Sequence, residues 1–167
     1  MKLEKVEKIL QLEWNMFQKV ENIGGRASCQ ENFETFYIMR RSQYENWTDE
    51  MLDVWLKYVM ECEEEGRNLL SEKYARMMQY SDLHYYNKHL KHLLPVTPVR
   101  IFRLINEIVE QMIEWEEALG QKYPLVVGTG RPLRSEEDYK GQTSLESYAR
   151  GELETYPEEL LIMYRDY

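Results

Sequence analysis

The sequence contains little of what disulfide scaffolds and membrane spans require. Only two of its 167 residues are cysteines, and Cys29 and Cys62 are far from any CxxC spacing, as in proteins of the reducing cytoplasm. No apolar run approaches the roughly 20 residues of a membrane-spanning helix. The N-terminus is charged from its second residue and has no small-residue cleavage site, which is typical of a mature helix rather than a signal peptide. These absences favour a cytoplasmic protein.

Basic residues are outnumbered by acidic ones, and histidines are scarce. The chain has 21 Lys and Arg against 30 Asp and Glu, a formal net charge of -9. This charge argues against nucleic acid and anionic membranes as partners. All three histidines fall within residues 84–92. His89 and His92 have the spacing of two metal ligands, but no third ligand follows at a recognisable offset, so we predict neither a metal nor a cofactor.

Most of the chain shows apolar residues at three- and four-residue steps, the signature of amphipathic helices. Capping residues, glycines and prolines mark the ends of the predicted helices. The predicted helices cover about residues 2–22, 28–47, 48–80, 81–94 and 98–122, and two more begin at residues 143 and 157. We therefore predict an all-α fold, one domain over residues 1–167. It would be a bundle of about five to seven helices with an irregular loop near residues 123–142.

Three positions decide where these helices begin or break. Ser28 and Glu31 have the spacing of a capping box, as do Thr143 and Glu146, so each pair predicts a helix start. Gly66 lies within the predicted third helix, where it marks either a close helix contact or a break.

An ionisable residue stands at the centre of the apolar face of each of the first two helices. At 100° per residue, the apolar arc of the first helix is centred on Glu13 and that of the second on Arg40. Charged residues are rarely buried unless paired, so we expect Glu13 and Arg40 to meet, or to share a polar pocket with Gln43. Two interpretations stay open: a structural ion pair, or a ligand site with Glu13 as acid or base and Arg40 holding an anion.

Two loops supply further candidate anion-binding residues. Arg26 follows a diglycine and precedes the second helix, whose N-terminal amides attract anions. The alternative is a structural turn in which Arg26 binds carbonyl groups at the end of the first helix. Arg131 lies in the long irregular segment, where binding residues are common.

Two blocks of sequence resemble a known family. Residues 12–47, LEWNMFQKVENIGGRASCQENFETFYIMRRSQYENW, and residues 130–157, GRPLRSEEDYKGQTSLESYARGELETYP, are similar to the blocks that mark the bacterial family called domain of unknown function 4125. The resemblance covers the whole chain and implies no reaction. It marks Glu13, Asn22, Gly24, Gly25, Arg26, Gln30, Arg40, Ser42, Gln43, Arg131, Thr143, Ser144, Tyr148, Gly151, Glu152, Leu153 and Tyr156. It also implies a link to a nucleotidyltransferase-like domain, which some relatives carry.

These observations lead to two hypotheses. The first is a protein or enzyme that binds a small anionic metabolite between the first two helices, closed by the C-terminal segment. Glu13 would be its catalytic residue, and the ligand-binding residues would be Arg26, Gln30, Arg40, Gln43 and Arg131. The alternative is an accessory or interaction protein working with a nucleotidyltransferase-like partner, in which the polar residues are structural. Such a protein would expose an aromatic patch, for example in residues 82–90 or 160–167. The reaction and the oligomeric state are left open.

Overall fold

The computed structural model describes residues 1–127 and 130–167, and these ranges are predominantly helical. Helix accounts for 74% of the chain, and the described residues contain no strand. The α-helices are α1 (Lys2–Gln18), α2 (Phe33–Glu45), α3 (Asp49–Glu64), α4 (Leu69–Ser81), α5 (Leu83–Tyr85), α6 (Val99–Lys122), α7 (Pro124–Val127), α8 (Leu145–Leu153) and α9 (Glu158–Asp166). The all-α prediction is confirmed. The predicted five to seven helices were too few, because eight of those described have four residues or more.

Helix α2 begins later than the sequence predicts. Residues Ser28–Glu31 form a short 3-10 turn, and Asn32 is the N-cap, its side chain accepting a hydrogen bond from Thr35 N at 3.0 Å. The prediction of Ser28 as a helix cap is therefore wrong. The turn is instead held by Gln30, whose side chain is buried against the end of α1.

The structure decides between the two alternatives for Gly66 and shifts the start of α8 by one residue. Gly66 marks a break and not a close contact: it has φ +73°, which suits glycine, and nothing lies within 4 Å of a Cβ built on it. At the start of α8 the cap is Ser144, which accepts from Ser147 N at 3.1 Å, one residue after the predicted Thr143.

The segment predicted as an irregular loop, residues 123–142, has little regular structure where it is described. It contains α7, a 3-10 turn over Ser135–Glu137 and an isolated bridge between Tyr139 and Gln142. Residues 128 and 129 of this predicted loop lie outside the described residues.

The chain divides by its contacts into two compact units, residues 1–71 and 72–167. In the first unit α1 packs against α2 and α3 around a core that includes Ile9, Leu10, Tyr44, Leu52 and Trp55, each at most 1% exposed. In the second, α6 packs against α8 and α9 around Ile105, Val109, Ile113, Leu160 and Leu161, also at most 1% exposed. That residues 1–167 form one domain stays a prediction.

A helix that crosses a bilayer needs about 20 predominantly apolar residues. Within residues 1–127 and 130–167, no helix is both long enough and apolar enough to cross a membrane.

Gly151 allows α8 to pass close to α4, which gives a test of the packing. A Cβ at this position would lie 2.7 Å from Met77 Cγ and 2.9 Å from the Lys73 carbonyl oxygen. We expect Gly151→Ala to lower the free energy of unfolding by about 1–3 kcal/mol, although alanine favours helix by about 1 kcal/mol.

The measurement is urea denaturation monitored by circular dichroism, with Gly24→Ala as the control. Nothing lies within 4 Å of a Cβ on Gly24, so this control should change stability by less than about 0.5 kcal/mol. Equal stabilities for the two variants would contradict the close approach of α8 to α4.

Candidate functional site

Glu13 and Arg40 meet between α1 and α2. Arg40 donates two hydrogen bonds to the Glu13 carboxylate, Nε to Oε2 at 2.9 Å and Nη2 to Oε1 at 2.8 Å. The Glu13 side chain is 0% exposed and that of Arg40 is 12% exposed. The sequence-based expectation that these two residues pair is confirmed. Their bidentate geometry is the strongest that an arginine and a carboxylate form.

Three neighbouring side chains complete the network. Trp55 Nε1 lies 3.1 Å from both Glu13 Oε1 and the Tyr44 hydroxyl oxygen. The Tyr44 hydroxyl donates to Glu13, and Arg40 donates to that hydroxyl. Arg40 Nη1 also donates to Gln43 Oε1 at 3.0 Å, as expected from their shared helix edge. The carboxylate is thus bound by a cation and by two aromatic donors.

This network is closed as it stands. An acid or base has to come within hydrogen-bond reach of a substrate proton, and Glu13 has no surface in contact with solvent. The charge of Arg40 is compensated by Glu13, which leaves little attraction for a second anion. This geometry favours the structural interpretation. A catalytic role for Glu13, and ligand binding by Arg40 and Gln43, stay predictions.

The turn between α1 and α2 is held by Gln30 and Arg26. The Gln30 amide nitrogen donates to Phe17 O at 2.8 Å and to Val20 O at 3.0 Å. Its amide oxygen accepts from Ala27 N and from Asn22, both at 2.9 Å. A carboxamide has two donor and two acceptor positions, and these four hydrogen bonds use all of them.

Arg26 binds groups of the same turn. It donates to Gln18 O at 3.3 Å, to the Gln18 side chain, and to Gln30 O at 3.0 Å. These contacts match the structural alternative, in which Arg26 binds carbonyl groups at the end of α1. Its role as a ligand-binding residue, like that of Gln30, stays a prediction.

Arg131, the remaining predicted ligand-binding residue, lies in the second unit and is exposed. Its Nη1 donates to Thr143 O at 3.0 Å, and its Cζ lies 5.1 Å from the centroid of the Tyr148 ring. It makes no ion pair with any residue in the described ranges. A shallow depression of about 520 Å³ adjoins it, lined by Gly130, Arg131, Pro132, Gly141, Gln142 and Thr143.

Tyr148 belongs to a buried network that the residue-by-residue search of the sequence missed. Lys73 Nζ lies 2.7 Å from the Tyr148 hydroxyl and 2.6 Å from Glu152 Oε2, and Tyr156 donates to Glu152 Oε1 at 3.0 Å. The side chains of Lys73 and Glu152 are 5% and 11% exposed. The signal was available, because Lys73 lies at the centre of the apolar arc formed by Leu69, Leu70 and Met77, as Glu13 does in α1.

Further buried pairs in the second unit are structural. Arg76 binds Glu154 at 2.6 Å and the Pro95 carbonyl at 2.8 Å. Arg150 binds Glu146 at 3.0 Å. Burial alone would raise the pKa of Glu146, but the hydrogen bond from Ser135 N and the Arg150 guanidinium outweigh it and leave the pKa below its usual value. The carboxylate therefore stays charged and paired near neutral pH.

An open groove lies between α6 and α9, and we call it the α6–α9 groove. It is a cavity of about 670 Å³ lined by Glu107, Ile108, Gln111, Met112, Trp115, Glu116, Leu119, Leu145, Tyr164 and Arg165. Trp115 is 66% exposed and Leu119 is 43% exposed. Tyr164 and Arg165 come from the C-terminal stretch in which the interaction hypothesis places an exposed aromatic patch.

Comparison with known proteins identifies the family. Residues 4–167 match the model of the family described as protein of unknown function (DUF4125), so the chain belongs to this family. The resemblance seen in the two sequence blocks is thereby confirmed. Searches of curated proteins and of solved structures give no match. The family description carries no activity, and function has to be argued from the geometry.

The Glu13–Arg40 pair makes a testable difference to stability. Arg40→Met leaves the Glu13 carboxylate buried without its cation, so we expect it to lower the free energy of unfolding by about 3–5 kcal/mol. Glu13→Gln combined with Arg40→Met should recover part of this loss, since the amide oxygen still accepts from Tyr44 and Trp55 without carrying a charge. Chemical denaturation of both variants gives the comparison.

Arg41→Met is the matched control on the same helix. Arg41 pairs with Glu45 at 2.6 Å, but these side chains are 37% and 50% exposed, so its loss should lower the free energy of unfolding far less than the loss of Arg40. If Arg40→Met were no more destabilising than Arg41→Met, the Glu13–Arg40 pair would not be needed for stability, and the result would favour the ligand-binding interpretation.

Proposed function

We propose that this DUF4125 protein is an accessory protein that binds a segment of a partner protein in the α6–α9 groove. The observation that carries the proposal is Trp115, which is 66% exposed beside a cavity of about 670 Å³. Large apolar surfaces left open on a soluble protein mark sites of interaction.

The residues of the groove fit protein recognition better than catalysis. Tryptophan and tyrosine dominate the binding energy of protein interfaces, and Trp115 and Tyr164 both line this cavity. Ile108, Met112 and Leu119 supply aliphatic surface around them. Among the described residues, the lining holds no serine, cysteine or histidine that would act as a nucleophile. Burial of Trp115 by a partner would remove apolar surface from water, which is the main driving force of association.

The buried polar networks support the same proposal. The marked residues Glu13, Gln30, Arg40 and Glu152 bind groups of the protein itself and are largely withdrawn from solvent. They therefore match the hypothesis in which the polar residues are structural. The family resemblance favours a nucleotidyltransferase-like protein as the first partner to test, since some relatives carry such a domain.

Binding of a small anion is a second candidate function, and Arg131 favours it. This arginine borders an open depression and has no carboxylate partner among the described residues. Its guanidinium lies against the Tyr148 ring, which restricts its position. An arginine held in this way offers several N–H donors to a carboxylate or phosphate. The site of the anionic metabolite would then be in the second unit and not at Arg40.

Loss of Trp115 should weaken partner binding strongly without unfolding the protein. The probe is a fluorescent 18-residue amphipathic peptide with leucines at i, i+3, i+4 and i+7 and lysines elsewhere, titrated by anisotropy. We expect Trp115→Ala to weaken binding about 30-fold, as for an aromatic residue that anchors an interface.

Val99→Ala is the control for this experiment. Val99 also lies on α6 and is 69% exposed, but it does not line the groove, so its variant should bind like the wild type. Equal binding by Trp115→Ala and Val99→Ala would rule the groove out as the binding site.

Arg131 should determine any stabilisation by anions. Inorganic phosphate and citrate should raise the melting temperature of the wild type by mass action, and Arg131→Gln should remove the part due to binding. Arg103→Gln is the control, because Arg103 is exposed, lies in the same unit and makes no ion pair with a described residue. Since these anions also stabilise proteins by exclusion from the surface, only the difference between the two variants counts. If phosphate and citrate raise the melting temperatures of Arg131→Gln and Arg103→Gln equally, anion binding by Arg131 is excluded.

A further inference from the structure

We infer that the segment bound in the α6–α9 groove is an α-helix with basic residues beside its apolar stripe. This inference rests on the proposed function and adds the chemical class of the partner. It follows from the length of the groove, the absence of a strand edge among its lining residues, and the charges that line it.

The length of the groove matches a few turns of helix. The apolar residues that α6 contributes are Ile108, Met112, Trp115 and Leu119, at positions i, i+4, i+7 and i+11. With a rise of about 1.5 Å per residue they extend about 16 Å, or three turns. A partner helix of similar length presents its own apolar residues at i, i+3, i+4 and i+7, the pattern of helix-in-groove recognition.

The backbone of the partner also favours a helix. The described lining comes from helices α6, α8 and α9 and offers no strand edge with which an extended peptide would pair. An extended segment would carry unpaired N–H and C=O groups into an apolar site, at a cost comparable to a lost hydrogen bond for each. A helix satisfies most of these groups internally.

The charges of the groove select a basic partner. Glu107 and Glu116 line it and make no ion pair with a described residue. Arg165, the cation among the described lining residues, is paired with Asp166 at 2.8 Å and also interacts electrostatically with Glu107, which leaves Glu116 as the less compensated carboxylate. Carboxylates beside the apolar surface attract lysine and arginine side chains on a partner and repel acidic ones.

Two peptides distinguish the partner's charge from its shape. Both are 18-residue helices with the same leucine stripe, and the positions beside the stripe are lysine in one and glutamate in the other. We expect the wild-type protein to bind the lysine peptide about tenfold more tightly at low ionic strength, with a smaller ratio in added salt.

The matching variant is Glu107→Gln combined with Glu116→Gln. It should weaken the lysine peptide about two- to thirtyfold, the range for two exposed charge interactions, and should not weaken the glutamate peptide. Glu136→Gln removes an exposed carboxylate of the same unit outside the groove and should bind like the wild type.

The outcomes separate this inference from the proposed function. Failure of both peptides to bind would overturn both. Equal binding of the two peptides, or tighter binding of the glutamate peptide, with loss in Trp115→Ala, would overturn the basic helix and leave the groove as an interaction site. Analytical ultracentrifugation tests for self-association. If the wild type self-associates and Trp115→Ala does not, the basic partner helix would also be overturned, since the occupant of the groove would then be a second copy of the chain.

Discussion

A carboxylate without access to water has to be paired, and this constraint sets how α1 lies against α2. Glu13 is buried at the centre of the apolar face of α1, so α2 must present Arg40 at the same level. Tyr44 and Trp55 add two core side chains to this network. The Tyr44 hydroxyl and the Trp55 indole N–H both donate to Glu13 Oε1. A shift of α2 by one turn along α1 would break all these bonds together. The pair therefore specifies register in addition to any stability it contributes.

The same logic recurs in the second unit, where Lys73 and Glu152 connect α4 to α8 and Arg76 binds Glu154. Most of the polar residues that the family blocks mark form hydrogen bonds within the protein. Such blocks therefore carry information about folding as well as about binding. The α6–α9 groove is different, because its lining lies mostly outside the two marked blocks. A recognition surface of this sort has to be found from exposure and shape.

Helix periodicity was sufficient to predict the all-α fold and the meeting of Glu13 and Arg40, because both depend on which face of a helix is buried. It failed where side chains distant in sequence decide the local structure. Ser28 has the spacing of a helix cap, yet the buried amide of Gln30 holds that segment in a 3-10 turn and the helix starts after Asn32. Lys73 satisfied the rule that identified Glu13, but its partner Glu152 is 79 residues away. The openness of the groove around Trp115 depends on packing of α6 against α9, which no local pattern encodes.

The close approach at Gly151 also bears on how sequences of this family vary. Met77 Cγ and the Lys73 carbonyl occupy the volume that any larger side chain would need. A relative with alanine or serine at this position therefore has to displace α4 from α8, because a smaller residue at position 77 would relieve only one of the two contacts. Position 151 should consequently stay glycine in relatives that keep this helix packing. A glycine inside a family motif would in that case record a steric requirement between two helices and no chemistry.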